Sequence, residues 1–225
     1  MERPSTVSEP ATPPAQDVKP ALRGWIHAAT VPLALLAGLT LVSLAPTPAA
    51  RFSSAIFTAA SVVLFGMSAL YHRFNWGPKA KAALRRIDHA NIFLLIAGTY
   101  TPMSVLALPP AKATLLLSLV WGGALLGTAA RVFWVGAPRW VYVPLYVILG
   151  WAAVMYMGDL LAFSVPMTVL IIAGGVAYTV GALAYALKRP NPFPNHFGFH
   201  EIFHTLTVIA FGCHWAAVLI AAMQH

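Results

Sequence analysis

His200-Glu201-Ile202-Phe203-His204 opens the run HEIFHTLTVIAFGCHWAAVLIAAM, residues 200–223, whose reading decides the fold. The run contains no lysine or arginine and a single carboxylate, and it exceeds the ~20 residues a helix needs to cross a bilayer. Its first five residues nevertheless hold three ionisable groups, which are expensive inside a membrane and call for a function. Histidines four apart project from one face of a helix, a spacing that lets two imidazoles grip one metal ion. Glu201 between them completes the H-E-x-x-H pattern of zinc peptidases.

The rest of the chain resembles this run. Of 225 residues, 59% are hydrophobic and 9% charged, roughly a third of the charged fraction usual in soluble domains. Apolar stretches recur at 25–44, 53–72, 88–108, 113–133, 140–157, 166–187 and 200–223, the fifth being the shortest and its end near Asp159 the softest. They are continuous rather than alternating, which points to helices and away from a membrane β-barrel. The expectation is an all-α membrane protein, a seven-transmembrane helix bundle in the cell membrane. Residues 1–20 differ, with Pro4, Pro10, Pro13, Pro14 and Pro20 among small polar residues. They read as a disordered cytoplasmic tail rather than a signal peptide, leaving 21–225 as the membrane domain.

Charge orients the bundle. Arg3, Lys19, Arg23, Arg73, Lys79, Lys81, Arg85, Arg86, Arg131, Arg139, Lys188 and Arg189 fall on one side of these spans, and only Arg51 and Lys112 on the other. The positive-inside rule then predicts a cytoplasmic N-terminus and an external C-terminus. The net charge of +8 is explained by topology and lipid contact, so no nucleic acid partner is expected.

In this topology His72 ends the second span, Asp88 and His89 open the third, and His200 and His204 open the seventh, all at the cytoplasmic side. Three remote segments thus bring His72, Asp88, His200 and His204 to one depth, as a single metal site requires. Three neutral imidazoles with an open fourth position have the composition of a catalytic zinc site. Cys213 is the only cysteine, which rules out a thiolate cluster and an intrachain disulfide. Zinc would polarise a carbonyl and acidify water. Asp88 would hold or deprotonate that water, or else it caps a helix or pairs with Arg85 and Arg86. Ser68, one turn deeper than His72 on the same face, either joins the site or bonds back to its own helix. Glu201 points about 100° away from its neighbours, and is either the general base or a partner for a basic loop residue.

The remaining histidines have lesser expected roles. His214 lies ten residues past His204, about 15 Å along the helix, and reads as a buried hydrogen-bonding or cavity-lining group. His27 is expected at the interface. His89 is either in the shell around the site or solvated at the interface, and His196 sits in a proline-rich loop able to cap the cytoplasmic opening. Trp25, Trp76, Trp140 and Tyr142 read as interfacial anchors.

Four stretches carry a family resemblance: Arg23-Gly24-Trp25-Ile26-His27, Ser68-x-x-x-His72, the run from Asp88 through Ala97-Gly98-Thr99-Tyr100-Thr101-Pro102, and His200-x-x-x-His204. In order along nearly the whole chain after residue 20, they resemble the hemolysin III family. This is the bacterial branch of the progestin and adipoQ receptor superfamily, which includes the adiponectin receptors and is related to alkaline ceramidases. The resemblance implies zinc held by His72, His200 and His204, with Ser68 and Asp88 beside it and Asp88 acting on water. It also implies hydrolysis of a ceramide-like lipid amide or an ester, with the lipid entering from the bilayer. Two alternatives stand beside this one: a receptor or regulatory membrane protein with structural zinc, and a haemolysin-type pore-former, which the nearly apolar fourth to sixth spans disfavour.

Overall fold

Pro48, Pro78 and Pro110 each stand first in a helix, the position where a missing N–H is harmless and a fixed φ is favourable. Thr47 adds a side-chain cap, its hydroxyl accepting from the Ala50 N–H at 3.1 Å. The computed structural model describes residues 20–134 and 136–224. Its helices are α1 (Trp25–Leu44), α2 (Pro48–Arg73), α3 (Pro78–Ala107), α4 (Pro110–Phe133), α5 (Arg139–Gly150), α6 (Met157–Phe163), α7 (Val165–Leu187) and α8 (Phe199–Met223). A 3-10 turn, Ala152–Tyr156, lies between α5 and α6. These three elements together form the fifth of seven spans long and apolar enough to cross a membrane. The expected seven-helix membrane bundle is the observed fold. Most of the tail expected at 1–20 lies outside the described residues.

The sequence misplaces two helix starts. The second span begins at Pro48 rather than 53, and the third at Pro78 rather than 88. The first turns of α3 carry Lys79, Lys81 and Arg85, which are exposed. An apolar window cannot register them, although they are good helix formers. Asp88 therefore lies well inside α3, whose N-cap is Gly77, and the helix-capping reading of Asp88 is corrected.

The third correction is the fifth span, which is not one continuous helix. It breaks after Gly150, where the Trp151 N–H reaches back to the carbonyls of Val147 and Ile148 at 3.0 and 3.3 Å. Tyr100 of α3 bridges the break: its hydroxyl donates to the Gly150 carbonyl at 2.7 Å and accepts from the Ala153 N–H at 2.9 Å. Unpaired backbone groups at membrane depth are tolerated only where protein or a lined cavity satisfies them, and Tyr100 does so here.

Neighbours in sequence pack together, α1 closes the bundle against α8, and α3 touches α2, α4, α5 and α8. The apolar stretch of α3 is 78% buried, which makes it the central helix. At the lysine- and arginine-rich end, Gly24 precedes α1 with φ 84°, in the left-handed region that suits glycine. A Cβ there would stand 2.9 Å from the backbone nitrogen of Arg73. Only glycine lets the start of α1 press onto the end of α2, and this contact carries His27 into the bundle. The proline-rich loop 188–198 is tied to the same entry segment, its Asn195 carbonyl accepting from the Ala21 N–H at 3.0 Å.

Candidate metal centre

His72 is in the last turn of α2, and His200 and His204 are in the first two turns of α8. Packing of these ends at the basic side brings the histidines together. The Nε2 atoms of His72 and His200 lie 3.2 Å apart. One nitrogen from each of the three residues lies within 4.8 Å of the others, in a group of metal-binding character. Tetrahedral coordination at Zn–N of 2.0–2.1 Å would separate such nitrogens by about 3.3 Å, so the His72–His200 pair has the required spacing. His204 contributes the third nitrogen, within 4.8 Å of the other two. The donor chemistry fits a cation held by neutral imidazoles.

Asp88 meets the triad from α3. Its Oδ2 lies 3.6 Å from His72 Nε2, and the residue is buried. No ion pair links it to Arg85 or Arg86 among the described residues, so the carboxylate faces the histidines rather than the basic loop. Ser68, one turn before His72, is buried and lines the same cavity. Ser61 and Thr58 on this helix bond back to the Phe57 and Ser54 carbonyls. Ser68 makes no such bond among the described residues, and its hydroxyl remains available to the cavity.

Glu201 turns away. Its Oε1 accepts from Arg23 Nε, and its Oε2 accepts from the Gly198 N–H at 3.0 Å. At 1% exposure this carboxylate ties the start of α8 to the segment ahead of α1. The carboxylate is thus engaged with a basic residue, one of the two alternatives its helical direction left open.

His27 is not interfacial. It is 2% exposed and stacks on His204 with ring centroids 3.9 Å apart and planes 11° from parallel. Phe65 meets its ring edge-on at 5.0 Å. Among the described residues neither ring nitrogen has a hydrogen-bond partner, an unusual state for a buried imidazole. Its evident work is steric, holding the plane of the His204 ring. His89 turns towards α4, where its Nδ1 lies 2.7 Å from Arg131 Nη2. The Arg131 guanidinium also covers the Tyr142 ring at 4.2 Å, and a basic residue read as topology is thereby packed inside.

A cavity runs from the triad into the bundle, holding about 1130 Å³ of empty space with its open mouth included. Ser68, Asp88, His200 and His204 line one end, Tyr178 and His214 another part, and Leu64, Ile92, Leu95, Ile96, Val143 and Val147 much of the wall between. His214 is thus a cavity residue, as its position suggested, with Nε2 3.2 Å from the Ile171 carbonyl.

Seven membrane-spanning helices around an internal cavity with a buried three-histidine cluster define a polytopic membrane protein with a prospective metal centre. The haemolysin-III related family profile matches residues 15–215, and the chain belongs to that family. It is 34% identical over 160 residues to "Hemolysin-3 homolog" of Bacillus subtilis (strain 168), covering 69% of this chain and 70% of that protein. It is 30% identical over 160 residues to "Hemolysin-3" of Bacillus cereus, covering 68% and 69% respectively.

Proposed function

We propose that the protein is a zinc-dependent hydrolase of a lipid amide or ester, with His72, His200 and His204 holding the metal. The observation that carries this reading is the juxtaposition of three imidazoles and a buried carboxylate, Asp88, at one end of a largely apolar cavity. A bound zinc ion would supply Lewis acidity, polarising the carbonyl and easing ionisation of water.

The chain's own residues do the rest. Asp88 Oδ2 accepts the proton of the attacking water as its oxygen bonds to the carbonyl carbon. The proton then passes from Asp88 to the leaving nitrogen or oxygen as the C–N or C–O bond breaks, giving a free acid and an amine or alcohol. Ser68 Oγ orients the polar group of the substrate or the water. The apolar wall takes the hydrocarbon chain, which arrives from the bilayer, while water enters from the basic end, read as cytoplasmic. His27 stacks on the His204 ring and limits its tilt.

The test is zinc content and fatty-acid release from purified protein with a panel of ceramides and other acyl amides and esters. The expected result is release by wild type, loss with His204→Ala and Asp88→Asn, and substantial retention with Glu201→Gln. If wild type holds zinc yet releases no acid from any substrate, the hydrolase reading fails.

A further inference from the structure

The deeper part of the cavity contains a second polar cluster that the hydrolytic reading leaves unused. His214 Nε2 faces the Ile171 carbonyl at 3.2 Å. A carbonyl only accepts, so Nε2 carries the proton and Nδ1 keeps a bare lone pair. Among the described residues that Nδ1 has no partner, and neither does the hydroxyl of Tyr178, whose ring centroid lies 5.6 Å from the imidazole. Both residues line the cavity. A Cβ at Gly174 would run into the His214 ring, so the imidazole rests against the α7 backbone and is held there. Nearby polar groups are already satisfied: Trp151 Nε1 donates to Thr179 Oγ1 at 3.0 Å, and Thr179 to the Gly175 carbonyl at 2.7 Å.

The cavity does not end at this cluster. A second, smaller cavity shares Thr99, Tyr100, Gly150, Trp151, Gly175 and His214 with the first. Its further wall is formed by Met103, Met157, Ile171 and Ile172. The break in the fifth span lines both spaces, and Tyr178 and His214 stand near their junction. A chain lying in the first cavity would pass this pair before reaching the second.

The geometry points to a hydroxyl-recognising subsite at Tyr178 and His214, and so to a lipid that carries a hydroxyl part-way along its chain. One acceptor, His214 Nδ1, and one donor, the Tyr178 hydroxyl, match a hydroxyl, which donates to the first and accepts from the second. A ketone would leave Nδ1 unpaired, and an ammonium, which only donates, would leave the phenolic proton without an acceptor. His214 lies ten residues beyond His204, about 15 Å along the helix. Extended chains advance about 3.3–3.6 Å per three bonds, so the hydroxyl falls roughly a dozen bonds from a carboxyl or carbonyl at the triad. This inference rests on the lipid-binding part of the proposed function but not on hydrolysis.

Stearate, 10-hydroxystearate and 12-hydroxystearate are suitable probes, because free acids cannot be hydrolysed. Their binding to full-length protein in detergent is read by tryptophan fluorescence. The expected result is tighter binding of a hydroxylated acid than of stearate by about 10-fold or more. Tyr178→Phe is expected to bring the ratio of hydroxylated acid to stearate near unity, and His214→Phe to do the same. Equal affinities in wild type overturn the inference outright, whether or not either variant folds. A preference that survives in both folded variants also overturns it. Hydroxyl preference without lipid hydrolysis would sink the hydrolase reading and leave this subsite standing.

Discussion

The third and fifth spans are both apolar runs of membrane-crossing length, yet they fold differently. The third is one helix of 30 residues with 78% of its apolar stretch buried, and the fifth is broken into three pieces with 11% buried. Central α3 supplies Asp88 to the histidines at one end and Tyr100 to the broken span further along. The fifth span depends on that tyrosine for its backbone pairing. Apolar character therefore reports the surrounding solvent, whereas the inward polar groups determine whether a span is continuous and what it serves.

The largest effect expected along this contrast is at the basic end. Replacing His72 or His204 by Ala should weaken zinc retention by at least about 100-fold, measured by competition with a chelator, while circular dichroism remains helical. Asp88→Asn should keep zinc within about 10-fold of wild type but lower turnover by about 10²–10⁴-fold. The separation of metal binding from turnover would sharpen the role of α3. Glu201→Ala should leave Arg23 and the Gly198 N–H without their acceptor, destabilising the fold by about 1–3 kcal/mol in thermal or denaturant unfolding. At the broken span, Tyr100→Phe removes both bonds across the break and should cost about 1–2 kcal/mol, with faster amide exchange at Ala153. If Tyr100→Phe instead proved silent there, the dependence of the fifth span on α3 would be wrong. Trp151→Phe, which loses only the bond to Thr179, should cost about 1 kcal/mol or less by the same measurement.

The basic end was legible because ionisable residues stand out in apolar runs. His72, Asp88, His200 and His204 could be set at one depth by counting residues and charges, and their side chains do meet. His27 was not legible, because its burial depends on Gly24 admitting the end of α2, a contact between segments remote in sequence. The start of α3 was lost because Lys79, Lys81 and Arg85 make a polar, exposed helix that hydropathy cannot see. The break after Gly150 left no trace in composition, since Gly150-Trp151-Ala152-Ala153 is as apolar as its flanks. What stabilises it, Tyr100, lies 50 residues away in the chain.

The proposed function stands on His72, His200 and His204 forming one metal centre. Its most direct test is the zinc stoichiometry of purified wild type and His204→Ala protein after equilibration with zinc and removal of free ion. About one zinc per chain is expected in wild type and almost none in the variant. Equal zinc in the two proteins, or none in wild type, would contradict it.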